Sequence, residues 1–195
     1  MTLSKFLLGV FVLVTGIALT APASASQFGR VGLDYLVAEN ETIVVGEVRE
    51  TYSYWNAPGT FILTDAKIVV SEVLKGDRHL REVTVTLPGG SVDELSTVVV
   101  GGAELKPGSS YLLFLHRGDL PGAPGVQMVR DHIQGVFELK ASENGLRAVS
   151  QASADTLLPD ASGVTEAPGG KRGLRLEAMK ETVRELTAHG RQEVK

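Results

Sequence analysis

The sequence predicts an antiparallel all-β domain, a small barrel or else a β-sandwich, followed by one C-terminal amphipathic helix. Three observations carry this expectation. Between Val31 and Val149, short β-branched runs recur between glycine and proline turns. Asn144-Gly145 sits between Phe137-Glu138-Leu139 and Leu146-Arg147-Ala148-Val149, the favoured signal for a tight hairpin. Near the end, Leu176, Met179, Val183 and Leu186 recur at steps of three and four among charged neighbours.

Residues 1–25 read as a secretory signal peptide rather than as part of the fold. Lys5 precedes an uncharged run from Phe6 to Ala21, which is followed by Pro22 and the small triplet Ala23-Ser24-Ala25, with cleavage predicted after Ala25. The run has 16 residues, short of the roughly 20 that a spanning helix needs. No membrane anchor is expected after cleavage.

The β domain is assigned to residues 26–150. Val31 to Ala38 fits either a short helix or an entry strand. Thr42 to Val48 is a β-branched run interrupted by Gly46. Ile62, Thr64, Ala66, Ile68 and Val70 alternate at period two, up to the turn signal Lys75-Gly76-Asp77. Val83, Val85 and Leu87 form the next alternating run, ended by Pro88-Gly89-Gly90. Thr97 to Val100 is another short run, closed by Gly101-Gly102. Lys106-Pro107-Gly108 turns the chain into Tyr111-Leu112-Leu113-Phe114-Leu115, apolar on both faces and therefore a central strand. Val126 to Arg130 and Gly135 to Leu139 lead into the hairpin. Residues 151–173, rich in Ala, Ser, Gly, Pro and Asp, read as a linker. Residues 174–190 form the helix, with Gly190 as its stop; docking on the β domain is favoured, and a partner-binding helix is the alternative.

Composition removes whole classes of function. The 195 residues carry 19 Lys+Arg against 23 Asp+Glu, four His and no Cys. No disulfide framework, thiolate zinc site or cysteine nucleophile is possible. The acidic balance argues against a nucleic-acid partner. An exported chain without disulfides must rely on a buried core, and the mature length is sufficient for one.

The ordered series Ile43-Val44-Val45-Gly46-Glu47-Val48, Trp55, Leu63-Thr64, Val73-Leu74-Lys75-Gly76, Val83-Thr84-Val85, Gly89-Gly90 and Pro107-Gly108 to Leu115 resembles the netrin-like, tissue-inhibitor-of-metalloproteinases type of OB barrel. It is similar as well to uncharacterised exported bacterial domains of that look. The resemblance covers about half of the chain and implies a small antiparallel OB-like barrel. Inhibitors of that family engage the protease zinc through an N-terminal cysteine. With no cysteine and a mature start at Ser26-Gln27-Phe28, that mechanism does not transfer.

Catalytic constellations are missing from the sequence. His79, His116, His132 and His189 are scattered, without a His-Glu-x-x-His pair. Asp131-His132 has no nucleophile beside it, and Pro107-Gly108-Ser109-Ser110 is not a Gly-x-Ser-x-Gly elbow. Asp93-Glu94 reads as a solvated loop, Arg117-Gly118-Asp119 as a turn, and the Gly89-Gly90 and Gly101-Gly102 pairs as turns or bulges. Neither catalytic residues, metal ligands nor cofactors are expected. The feature left over is Tyr52-Ser53-Tyr54-Trp55-Asn56, with three aromatic rings in four positions just before the Asn56-Ala57-Pro58-Gly59 turn. Tyr52, Tyr54 and Trp55 are the candidate partner-binding residues, in a loop at the barrel rim; the competing account makes Trp55 a core plug.

The expectation is a secreted or periplasmic, non-enzymatic binding module whose ligand is a protein or peptide. The alternative is an inhibitor or accessory domain of a secreted protease. N-terminal sequencing of the exported protein is expected to return Ser26-Gln27-Phe28; an intact Met1 in the membrane fraction would contradict the signal assignment.

Overall fold

The computed structural model describes residues 28–29, 31–130, 133–152, 157–158 and 173–193. The signal segment 1–25 and most of the linker 151–173 lie outside the described residues. The fold is mostly antiparallel β, with two helices. The strands are β1 (Phe28–Gly29), β2 (Thr42–Trp55), β3 (Ile62–Lys75), β4 (Glu82–Pro88), β5 (Gly90–Val92), β6 (Leu95–Thr97), β7 (Ser110–Leu120), β8 (Ala123–Val129), β9 (Val136–Ser142), β10 (Gly145–Ser150), β11 (Leu157–Leu158) and β12 (Leu174–Arg175). Helix α1 is Leu33–Glu39 and helix α2 is Leu176–Glu193.

The main sheet has the order β12-β10-β9-β7-β2-β3-β4, with β8 added to β7. Its centre is the β2–β7 pair, Thr42 opposite Leu115 through Glu47 opposite Ser110. Here side chains on both faces are buried, as the unbroken apolar run 111–115 predicts. Alternation sorts them into two cores. Val44, Val48, Ile68, Tyr111, Leu113 and Leu115 join the cluster inside the curl of the sheet. Ile43, Val45, Leu112, Phe114 and Phe137 face the other way, against Leu36 and Val37 of α1 and Leu176, Met179 and Val183 of α2. The predicted docking of the C-terminal helix is therefore what the structure contains.

The sheet is curled but not closed. Register shifts in β2, between Val45 and Gly46 and between Val48 and Glu50, bend it. Strands β8 and β9 lie end to end along the edge of β7 opposite β2. Strand β4 comes alongside β8, but no ladder joins them. Of the two forms expected from the sequence, a small barrel or a β-sandwich, the sheet does not close as a barrel and its open curl fits the sandwich-like alternative. The bulges bring the two backbones close without bringing them into hydrogen-bond register.

Several local expectations need correction. Val31 to Ala38, left open between helix and entry strand, needs none: it takes the helical form, because Leu36 and Val37 find apolar partners on α2. The run beginning at Thr42 continues seven residues past Val48, to Trp55. Thr97 to Val100 is not a strand: β6 ends at Thr97, and Val98 and Val100 are 82% and 89% exposed. Gly190 does not stop α2, which runs on to Glu193. The hairpin at Asn144-Gly145 forms as predicted, with Gly145 opposite Ser142 and at φ 97°. Gly90 is required twice over. Its φ of 134° suits glycine, and a Cβ there would lie 2.2 Å from Thr64 Oγ1 and 2.6 Å from Ser53 Oγ.

Polar groups complete the helix docking. The last carbonyls of α1 are all used: Leu36 O accepts from Asn40 Nδ2 at 2.7 Å, Val37 O from Lys75 Nζ at 2.6 Å, and Glu39 O from Arg130 Nη2 at 2.6 Å. Lys75 Nζ also reaches Ala38 O at 3.3 Å. Helix α2 is tied to β3 by Glu72, whose carboxylate meets Lys180 Nζ at 2.8 Å and pairs with Arg184. Burial pushes the Glu72 carboxyl up, but its hydrogen bonds to and the charges of Lys180 and Arg184 outweigh burial and leave it below its ordinary 4.5. A depressed carboxylate stabilises the fold above its unfolded pKa, and that contribution is lost as pH falls through the folded value. Glu72→Gln is expected to cost about 1 kcal/mol at neutral pH, measured by urea unfolding. The gap from the parent should close in acid, once Glu72 is protonated in both states.

Candidate functional site

Strand β2 outruns its neighbour. It pairs with β7 only as far as Glu47, yet stays paired with β3 to Trp55 opposite Ile62. Arg49 to Trp55 therefore form the rim of a β2–β3–β4 ribbon that projects past the central pair. Tyr52, Tyr54 and Trp55 stand on this strand, which corrects their expected placement in a loop. The cause is tertiary: β3 and β4 extend far enough to keep the segment paired.

Facing partners assign the rings to opposite sides. Tyr52 lies opposite Asp65 and Tyr54 opposite Leu63, on one face; Trp55 lies opposite Ile62, on the other. The two tyrosine rings stack, with centroids 6.1 Å apart and planes 13° from parallel. Tyr52 is 70% exposed and Trp55 is 40% exposed, while Ile62 and Leu63 beside them are fully buried. Trp55 does not plug the core.

Two residues that sequence reasoning passed over hold this face. Asp65 Oδ1 accepts from Thr86 Oγ1 at 2.7 Å and from Tyr54 OH at 3.2 Å. Burial, followed by the charge and hydrogen bond of Asp65, raises the Tyr54 phenol above its ordinary 10.0. Tyr54 thus stays a neutral donor to Asp65, and its ring backs the exposed ring of Tyr52. On the other face Ser53 Oγ and Thr64 Oγ1 are 2.8 Å apart, and Thr64 Oγ1 donates to Gly89 O at 2.7 Å. The sequence gives little signal for these residues, since Asp65 falls among the polar positions of the alternation, with Lys67 and Ser71.

The turn after the rings is built by Asn56, which is buried. Its Oδ1 accepts from the Thr60 and Phe61 N–H groups at 2.8 and 3.0 Å, and its Nδ2 donates to Pro121 O at 2.9 Å. This last bond fastens the tip of the β2–β3 ribbon to the β7–β8 turn. The aromatic strand is fixed at its far end.

The remaining sequence candidates do not assemble. Among the described residues no three His, Asp or Glu side chains gather as a metal site, and His132 lies outside those residues. Asp93-Glu94 is the exposed turn between β5 and β6. Arg117-Gly118-Asp119 lies within β7, where Asp119 Oδ1 accepts from Gly125 N–H at 2.7 Å. A cavity of about 370 Å³ follows the β4–β8 seam, lined by Thr86, Leu87, His116, Met128 and Arg130 among others. Arg130 already serves as a cap on α1. The seam is too narrow for an added strand, since β4 and β8 approach within 8 Å between Cα atoms and an intervening strand needs about 9.6 Å. No described helix is long and apolar enough to cross a membrane. No protein-family model matches the chain, and no curated protein matches it either.

The partial exposure of Trp55, the only tryptophan, has a direct readout. Its fluorescence is expected to be quenched readily by acrylamide. Trp55→Ala is expected to cost less than about 2 kcal/mol, well under the 3–5 kcal/mol of a buried aromatic. A shielded indole with a collapsed mutant would restore the core-plug account.

Proposed function

We propose that this chain is an exported, non-enzymatic binding module that takes a protein or peptide ligand on the tyrosine face of the β2–β3 ribbon. The observation that supports this reading is the Tyr52–Tyr54 stack, in which the half-buried ring is anchored to Asp65 and the outer ring is left in solvent. A side chain immobilised before contact loses little entropy on binding, which is how aromatic anchors become energetic centres of interfaces. The export part of the proposal rests on the sequence pattern of segment 1–25. An inhibitor or accessory domain of a secreted protease is the narrower form of the proposal, and its support is the sequence resemblance.

The test is selection of displayed peptides on the purified protein, with binding measured on the parent and on Tyr52→Ser. Selected peptides are expected to bind the parent and to weaken roughly 30-fold or more on Tyr52→Ser, the loss of an anchor worth about 2 kcal/mol. Equal binding to both proteins would remove the tyrosine face from the proposal. A panel of secreted metallo- and serine proteases assayed with the protein tests the narrower form.

A further inference from the structure

The tyrosine face carries a charge that no described residue balances. We propose that this face selects an arginine side chain of its ligand, with the guanidinium stacked on the open side of the Tyr52 ring and donating to Asp65. This rests on the reading that the face takes a protein or peptide, and it names the side chain taken.

Asp65 stands directly opposite Tyr52 in the β2–β3 ladder, which sets the two Cβ atoms about 5 Å apart on one face. Its Oδ1 takes both of its hydrogen bonds, from Thr86 Oγ1 at 2.7 Å and from Tyr54 OH at 3.2 Å. Both donors are neutral. Oδ2 has no hydrogen-bond partner among the described residues and is open to solvent. The charges beside it are already matched, Lys67 with Glu50 at 2.8 Å and Arg49 with Glu82 at 3.1 Å. Asp65 makes no ion pair with any described residue, so its charge is left uncompensated on this face.

Charge and shape together choose the occupant. A carboxylate calls for a cation, and an exposed aromatic ring offers one the negative face of its π system. Tyr52 is 70% exposed and stacks on Tyr54 by one side only, so the other side of its ring is open. Arginine fits both groups at once. Its planar guanidinium lies flat on a ring while the N–H groups at its edge point sideways to a carboxylate. Lysine, a compact and strongly hydrated ammonium, matches the carboxylate but not the plane of the ring. The opposite side of the ribbon is occupied within the fold, since β5 packs on it at Ser53 and Thr64.

The probe is N-acetylarginine amide, titrated into the isotope-labelled parent protein and followed at the Tyr52 ring by NMR. Shifts at Tyr52 should saturate with a Kd on the order of 1 mM, the range open to a ligand of this size, and the affinity should fall as salt rises. N-acetylcitrulline amide, the uncharged counterpart, should bind roughly tenfold more weakly or worse. Asp65→Asn keeps Oδ1 as the acceptor for Tyr54 and Thr86 and replaces only the open oxygen, so it should fold and lose a similar roughly tenfold for the arginine probe. Absence of a shift at Tyr52, or equal binding of the arginine and citrulline probes, would overturn the proposal. So would an Asp65→Asn protein that binds the arginine probe as tightly as the parent. If that variant fails to fold, the citrulline comparison on the parent decides. Displayed peptides that depend on Tyr52 yet carry no arginine would overturn this inference and leave the peptide reading intact. An Asp65-dependent arginine probe, with peptides indifferent to Tyr52→Ser, would support the guanidinium site and count against the peptide reading alone.

Discussion

The β2–β7 pair is apolar on both faces, and the rest of the molecule is arranged to keep water from both. One face is covered by the sheet itself, which curls until β4 lies near β8. The other is covered by α1 and α2, with Phe114 and Phe137 packed at 5.8 Å between ring centroids beneath them. Each fully buried Leu, Ile, Val or Phe contributes about 2 kcal/mol, so neither cover is dispensable in a chain with no disulfide. Two helices that look incidental in the sequence are structural necessities.

Covering the second face creates a polar problem that is solved locally. A seven-residue helix ending against a sheet would bury its last carbonyls; Asn40, Lys75 and Arg130 reach them from three separate segments. Helix α2 carries the stripe of Met179 and Val183 inward, while Lys180 and Arg184 straddle Glu72 at the margin. The apolar stripe provides the attraction. The charged margin sets the helix's position along β3.

The same geometry leaves a remainder, and the remainder is the candidate site. Because β7 leaves β2 at Glu47 and the turn before it at Val48, the last seven residues of β2 are ladder-paired to β3 alone, with β5 packed against them. Asp65 and Asn56 keep this half-paired strand from fraying by supplying partners to Tyr54, Thr60 and Phe61. Aromatic rings on a strand so restrained are presented in one orientation. The ring of Tyr52 is the part of this strand left most open to solvent.

Features set by neighbouring residues were legible in the sequence: the Asn144-Gly145 hairpin, the Pro107-Gly108 turn, the two-sided run 111–115 and the stripe from Leu176 to Leu186. Backbone preference and side-chain period act within a few residues, so the order of residues is enough to state them. The aromatic group 52–55 was legible as a cluster, but its division between two faces was not. That division depends on pairing with β3, and Asp65 and Thr86 join Tyr54 from 11 and 32 positions away. Helix at Leu33–Glu39 and the open β4–β8 seam were likewise decided by packing partners distant in the chain. Local sequence sets which conformations are cheap; only the tertiary fold determines which surfaces remain to be covered, and that choice fixed the helix, the seam and the exposed strand.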